Sequence, residues 1–182
     1  QWIANMTPQN QYVEMAVINS ARAFLDSLYN QYRNTHDIIG FKEVRYGKEL
    51  KLLKECYPSI TILLLVRNPI DIWKSVPKIK SKHAKKVWIG FEQFINQWNE
   101  NTSLYLEYEK KYSEFHLIRY EDIVQKKDST IKLISKLGKL TVKEINDVIS
   151  CKIYSTSKEI VDEDKNKILK NCSKNMEKLG YL

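Results

Sequence analysis

Apolar residues recur at helical spacing over residues 9 to 33. Tyr12, Met15, Ile18, Leu25, Leu28, Tyr29 and Tyr32 fall on one broad face, which predicts an amphipathic helix. "IIGFKEV", 38 to 44, is short, apolar and β-leaning. "GKELKLLKECYP", 47 to 58, predicts a second amphipathic helix stopped by Pro58. "ITILLLV", 60 to 66, is an unbroken β-branched and leucine run. Such a run fits a central strand of a parallel sheet, covered on both faces. A long helix follows over 87 to 112, with Val87, Phe91, Ile95, Trp98, Tyr105 and Tyr112 at helical spacing. "EFHLIRYEDI", 114 to 123, predicts a second strand and its exit. "STIKLISKLG", 129 to 138, predicts a helix with Gly138 as its C-terminal cap, and a last amphipathic helix closes at Gly180. Helices alternate with strands, so the fold class expected is α/β and layered. With no repeat, linker or low-complexity tract, residues 1 to 182 read as one domain.

One junction stands out. In "LLLVRNPIDIWKS" the apolar run stops at Arg67; Asn68 is a good helix N-cap and Pro69 suits the first helical position. Open parallel sheets bind ligands at the carboxyl ends of their strands. Ser75 lies about six residues into the helix, roughly 9 Å along it. A guanidinium fork and a hydroxyl make a phosphate clamp beside the helix. Local chemistry equally allows a surface salt bridge at Arg67 with Ser75 incidental.

Composition narrows the classes. Hydrophobic residues are 43% and charged residues 29%, a globular balance with no bilayer-length apolar run. The 30 Lys and Arg exceed the 22 Asp and Glu, giving a net charge of +8, which favours an anionic ligand without naming one. The lysines are spread along the chain and no nucleic-acid recognition motif is present, so nucleic acid is disfavoured as a partner. Three scattered cysteines (Cys56, Cys151, Cys172) and three scattered histidines (His36, His83, His116) suggest no disulfide framework and no metal site, with a reducing cytoplasm as the default compartment. "QWIANMTPQN" shows no signal peptide.

"RNPIDIWKS" resembles the 3′-phosphate-binding segment of sulfotransferases that use 3′-phosphoadenosine 5′-phosphosulfate (PAPS): an Arg, then Asn and Pro, then a Ser eight residues after the Arg. Three further stretches fall in that family's order. "GFKEVRY", 40 to 46, resembles the preceding strand, "HLIRYEDI", 116 to 123, the later strand, and "CSKNMEKLGYL", 172 to 182, the terminal helix of bacterial and Golgi-type members. The resemblance implies a three-layer parallel sheet flanked by helices, similar to the P-loop NTPase fold. It implies sulfuryl transfer from PAPS to a hydroxyl or amine acceptor, on a small molecule, carbohydrate or peptide, leaving 3′-phosphoadenosine 5′-phosphate (PAP) and needing no metal. Carried over, Arg67 and Ser75 bind the 3′-phosphate and Tyr120 lies near the adenosine or that phosphate. Lys42 matches a lysine on the strand facing the reaction centre. Each also has a plainer reading: Tyr120 as a core tyrosine, Lys42 as a solvated strand-end lysine.

The sequence departs from the family in two respects, one being that it has no Arg-Lys-Gly of the kind many relatives carry late in the chain for the 3′-phosphate. The five glycines, at 40, 47, 90, 138 and 180, do not cluster, so no Gly-rich loop for the 5′-phosphosulfate and no strand before it are expected. The expectation is a fold incomplete at its N-terminal end and inactive alone. Glu43, beside Lys42, is the candidate base, with a structural ion pair as its alternative; Glu121 and Asp122 are expected to cap a helix or pair with Arg. The lysines of "KIKSKHAKK", 78 to 86, are either solvated surface or an entrance for an anion. A non-catalytic nucleotide-binding or scaffold module, keeping only the 3′-phosphate side, is the competing function.

Overall fold

The computed structural model describes residues 9–40, 42, 47, 49–75, 90–152 and 159–182. They fall in two compact units, Gln1–Ile60 and Thr61–Leu182.

In the first unit, helix α1 (Asn10–Tyr29) continues into a 3₁₀ turn, Asn30–Tyr32, and helix α2 spans Glu49–Cys56. The two helices are tied by polar contacts. The Arg22 Nε donates to the Cys56 carbonyl at 2.7 Å, and the Tyr57 hydroxyl donates to Asp26 Oδ1 at 2.9 Å. Burial, then the bond to Asp26, pushes the Tyr57 hydroxyl above its ordinary pKa. The expected apolar face of α1 is only partly used: Ile18 and Leu25 are half-buried, whereas Tyr12, Met15, Leu28 and Tyr32 are exposed. The tie to α2 runs through Ile18, Arg22 and Asp26, a narrower stripe than the apolar spacing suggests. The strand expected over 38 to 44 is not formed at 38, 39, 40 or 42, which lack the neighbouring ladder a strand needs. The other residues of that stretch, Glu43 among them, lie outside the described residues.

The second unit is built on two parallel strands, β1 (Ile62–Val66) and β2 (Phe115–Arg119), in the register Ile62↔Phe115 through Val66↔Arg119. Helix α3 (Pro69–Ser75) leaves β1 directly; α4 (Phe91–Lys111) precedes β2; then come α5 (Tyr120–Val124), α6 (Asp128–Gly138), α7 (Val142–Lys152) and α8 (Asp162–Lys178). Parallel pairing agrees with the α/β expectation. The helix expected over 87 to 112 is formed from Phe91 to Lys111, with Ile95 and Trp98 buried in it. Burial on both faces of β1 does not hold. Ile62, Leu64 and Val66 are buried, but Leu63 and Leu65 are 46% and 53% exposed. An unbroken run of isoleucine, leucine and valine carries no alternation, so it cannot separate a one-sided strand from a two-sided one.

The core gathers Val66, Ile95, Trp98, Ile168, Cys172, Met176 and Leu179, with α3, α4 and α8 on the Val66 face. Polar ties fix those helices. Asn175, buried in α8, donates to the Asn99 carbonyl at 3.1 Å and to Ser103 Oγ at 3.0 Å on α4. Trp73 of α3 meets Phe91 edge-on and Phe94 at a tilt, and donates its indole N–H to Asp164 at 2.9 Å. Cys56 and Cys172 are free and buried, and burial raises the Cys172 thiol to about 11. The cap expected at Gly138 falls one residue later: Lys139 adopts the left-handed conformation, φ 49°. Gly180 does close α8, at φ 69°. The lysines of 78 to 86, with His83, Val87 and Trp88, lie outside the described residues. Among the described residues, no helix is long and apolar enough to cross a membrane.

Ile168 is fully buried at the centre of this core. Ile168→Ala is expected to cost about 2–5 kcal/mol through lost contacts and the cavity left. Urea unfolding checks it; a loss below about 1 kcal/mol would place the residue outside a packed core.

Candidate functional site

The register does the first work at the site. Val66 lies opposite Arg119, so the next residues along the two parallel strands, Arg67 and Tyr120, emerge side by side at the carboxyl edge. The Arg67 guanidinium sits over the Tyr120 ring, 4.7 Å from its centroid. This is cation–π range, and it holds the guanidinium plane without consuming its N–H donors. The Arg67 Nε is buried and has no hydrogen-bond partner among the described residues.

The backbone around Arg67 is pinned. Its carbonyl accepts the Trp98 indole N–H at 3.1 Å. Asn68 Oδ1 accepts the Ile70 N–H at 2.9 Å, the N-cap expected from its residue type. The Asn68 N–H donates to Glu121 Oε1 at 2.9 Å, and the other Glu121 oxygen accepts the Tyr181 hydroxyl at 2.7 Å. Burial first, then the bond to Glu121, pushes the Tyr181 hydroxyl far above its ordinary range, so it remains a donor.

Ser75 is the last residue of α3, and its hydroxyl donates to the Ile72 carbonyl at 2.7 Å. That bond is local and rotatable; a hydroxyl in this state exchanges one acceptor for another at small net gain.

Arg119, at the end of β2, is fully committed instead. It forks onto Asp122 at 2.6 and 3.2 Å and donates to the carbonyls of Leu179 and Gly180, each at 3.0 Å. Its charged bonds hold the Asp122 carboxyl below the usual range against the opposing effect of burial. Asp122 therefore pairs with Arg, as expected, while Glu121 neither pairs with Arg nor caps but bridges two chain segments.

Of the residues selected from sequence, the structure brings Arg67 and Tyr120 together, with Ser75 on the helix that Arg67 leads into. Lys42 lies in the first unit, exposed and outside any strand, and Glu43 lies outside the described residues. Trp98, Glu121 and Tyr181 were not singled out for the site. Their roles are contacts across long stretches of chain, and the only local signals were an acid at a strand exit in "RYED" and an aromatic after Gly180 in "LGYL". No group of His, Cys, Asp and Glu among the described residues is arranged to hold a metal ion.

A model of the sulfotransferase family matches residues 2–144. No curated protein and no solved structure matches the chain.

Asp122 gives this site a pH dependence. Its depressed folded pKa means that it stabilises the protein fully above the unfolded carboxyl value of about 3.9, and that this contribution fades as pH falls through the lower folded value. Asp122→Asn is expected to cost about 1.5–3 kcal/mol near neutrality. The gap from wild type should narrow below about pH 4. Denaturant unfolding at pH 7 and at low pH measures both; a gap independent of pH would remove the ion pair as its cause.

Proposed function

The chain belongs to the sulfotransferase family, and from that premise we propose that it transfers a sulfuryl group from PAPS to a hydroxyl or amine acceptor, releasing PAP. The observation that carries this reading is the guanidinium of Arg67, held by the Tyr120 ring at the carboxyl edge of β1, its buried Nε without a partner among the described residues. Such a donor set fits a dianionic phosphate: a planar fork already oriented, with a rotatable hydroxyl on the helix that follows.

In this reading Arg67 and Ser75 hold the 3′-phosphate, and Tyr120 supports the fork and lies along the nucleoside. The bound nucleotide supplies the sulfuryl group; a bond forms from sulfur to the acceptor oxygen or nitrogen as the bond from sulfur to the 5′-phosphate oxygen breaks. The 3′-phosphate takes no part in that exchange. Its binding energy serves to fix the reacting end, which is how remote contacts lower a barrier set by positioning. For the chemistry itself the candidates are Lys42, as the charge that meets the leaving oxygen, or Glu43, as the base for the acceptor proton; neighbours on a strand would point to opposite faces, so only one of the two would serve. The acceptor is a small molecule, a carbohydrate or a peptide.

The same reading places the β1–β2 pair within a three-layer parallel sheet related to the P-loop NTPase fold. It treats 1 to 182 as one sulfotransferase-like domain, supported by a family match that spans parts of both compact units. A reducing, cytoplasmic setting fits the free and buried Cys56 and Cys172.

Calorimetric titration with PAP and with adenosine 5′-phosphate (AMP), which lacks the 3′-phosphate, tests the reading. Wild type is expected to prefer PAP. Arg67→Ala should cost about 1.5–3 kcal/mol of PAP binding, and Ser75→Ala about 1 kcal/mol or less, because its hydroxyl gives up the Ile72 bond to make the new one. AMP binding should change little in either variant. Equal losses for both nucleotides would make Arg67 a support of the fold and not a reader of the 3′-phosphate.

A further inference from the structure

Two arginines leave the two strands at neighbouring positions, and the segment 179–181 touches the surroundings of both. Arg119 holds that segment by its carbonyls, and its guanidinium lies 5.6 Å from the Tyr181 ring centroid. The left-handed turn at Gly180, φ 69°, directs Tyr181 back toward the sheet, and a Cβ at Gly180 would meet the Arg119 guanidinium at 3.4 Å. Tyr181 then donates to Glu121, and Glu121 accepts from the Asn68 N–H. Both oxygens of Glu121 are thereby used, one on each side, which fixes its rotamer.

The Asn68 N–H needs this acceptor. The β1–β2 register ends at Val66↔Arg119, and Asn68 is the cap of α3, whose own N–H has no partner inside the helix. Arg67 is thus fixed on both sides: by the ladder at Val66, and by Glu121 at Asn68. Adjacent residues of one turn do both jobs at Arg67, Tyr120 on the side chain and Glu121 on the backbone that follows.

We propose that Glu121 and Tyr181 are positioning residues for the Arg67 anion subsite, so that the segment after α8 sets affinity for a 3′-phosphorylated nucleotide without touching it. The proposal rests on Arg67 being the 3′-phosphate reader. Loss of the Tyr181 hydroxyl frees one Glu121 oxygen, lets the carboxylate turn, and loosens Asn68 and with it the aim of Arg67. A merely structural role, fastening the segment to the sheet, would lower stability and leave nucleotide discrimination alone.

Tyr181→Phe, Glu121→Ala and Glu121→Gln in the full chain separate the two. Gln keeps a carbonyl oxygen for the Asn68 N–H. The first measurement is amide hydrogen exchange at Asn68 without ligand. Exchange should quicken in Tyr181→Phe, more in Glu121→Ala, and return toward wild type in Glu121→Gln. The second is the ratio of PAP to AMP affinity by calorimetry. It should fall about three- to tenfold in Tyr181→Phe, by about tenfold or more in Glu121→Ala, and recover in Glu121→Gln. Asn68 exchange at the wild-type rate in Tyr181→Phe overturns the proposal, and so does an unchanged PAP-to-AMP ratio in folded Tyr181→Phe. A wild-type protein with no preference for PAP overturns the nucleotide reading itself and the proposal with it; the variant ratios are what overturn positioning alone.

Discussion

The five-residue parallel ladder between β1 and β2 is the constraint on which the 61–182 unit depends. Parallel pairing sends both strand ends to one edge, and the register Val66↔Arg119 makes Arg67 and Tyr120 neighbours there. An antiparallel pair would place those residues at opposite ends of the sheet. A slip of one residue would exchange the faces, turning Leu63 and Leu65 inward in place of Ile62, Leu64 and Val66. The core forbids that slip, since Val66 packs among Ile95, Trp98, Ile168 and Met176. Hydrophobic burial on one face thus fixes the polar geometry at the strand ends.

The two arginines at that edge have opposite assignments. Arg119 is saturated by a two-oxygen carboxylate and two carbonyls, and its burial is offset by that pairing. Exchanging such a group for a ligand would first require breaking charge-assisted bonds, so Arg119 is a poor anion receptor. Arg67 has an aromatic face beneath it and an Nε with no partner among the described residues. A ring holds a guanidinium in place but cannot satisfy its N–H groups, which in the proposed reading are left for the 3′-phosphate.

Local chemistry in the sequence was enough to find β1, the Asn68 cap, α3 and the long helix over 91 to 111, because each rests on neighbours within about one turn or on strict periodicity. It also offered Arg67 and Ser75 as an anion clamp, whereas Tyr120 was named by the resemblance alone. What it did not reach depends on pairing. The one-sided burial of β1 needs knowledge of what covers each face, which an unbroken apolar run conceals. Helix α7, over Val142–Lys152, went unread. Glu121 and Asp122 looked equivalent in "RYED", yet one meets Arg119 and the other meets Asn68 and Tyr181. Consecutive acids on one helical turn point about 100° apart, so their partners come from different parts of the fold and adjacency says nothing of them.

Rigidity explains why so many contacts converge on one short turn. Ordering a flexible arginine on binding costs up to about 2 kcal/mol of side-chain entropy, comparable with one charged hydrogen bond to the ligand. A guanidinium already resting on Tyr120 has lost much of that freedom in the folded state, where the cost is borne by folding and not by binding. The same holds for the backbone. With the Arg67 carbonyl on Trp98 and the Asn68 N–H on Glu121, the turn that carries the fork has two fixed peptide groups in succession. The partners come from α4 and α5, and Glu121 is held in turn by Tyr181 beyond α8. Elements that share a hydrophobic core therefore also share the task of aiming one side chain, and a change in any of them reaches the orientation of Arg67.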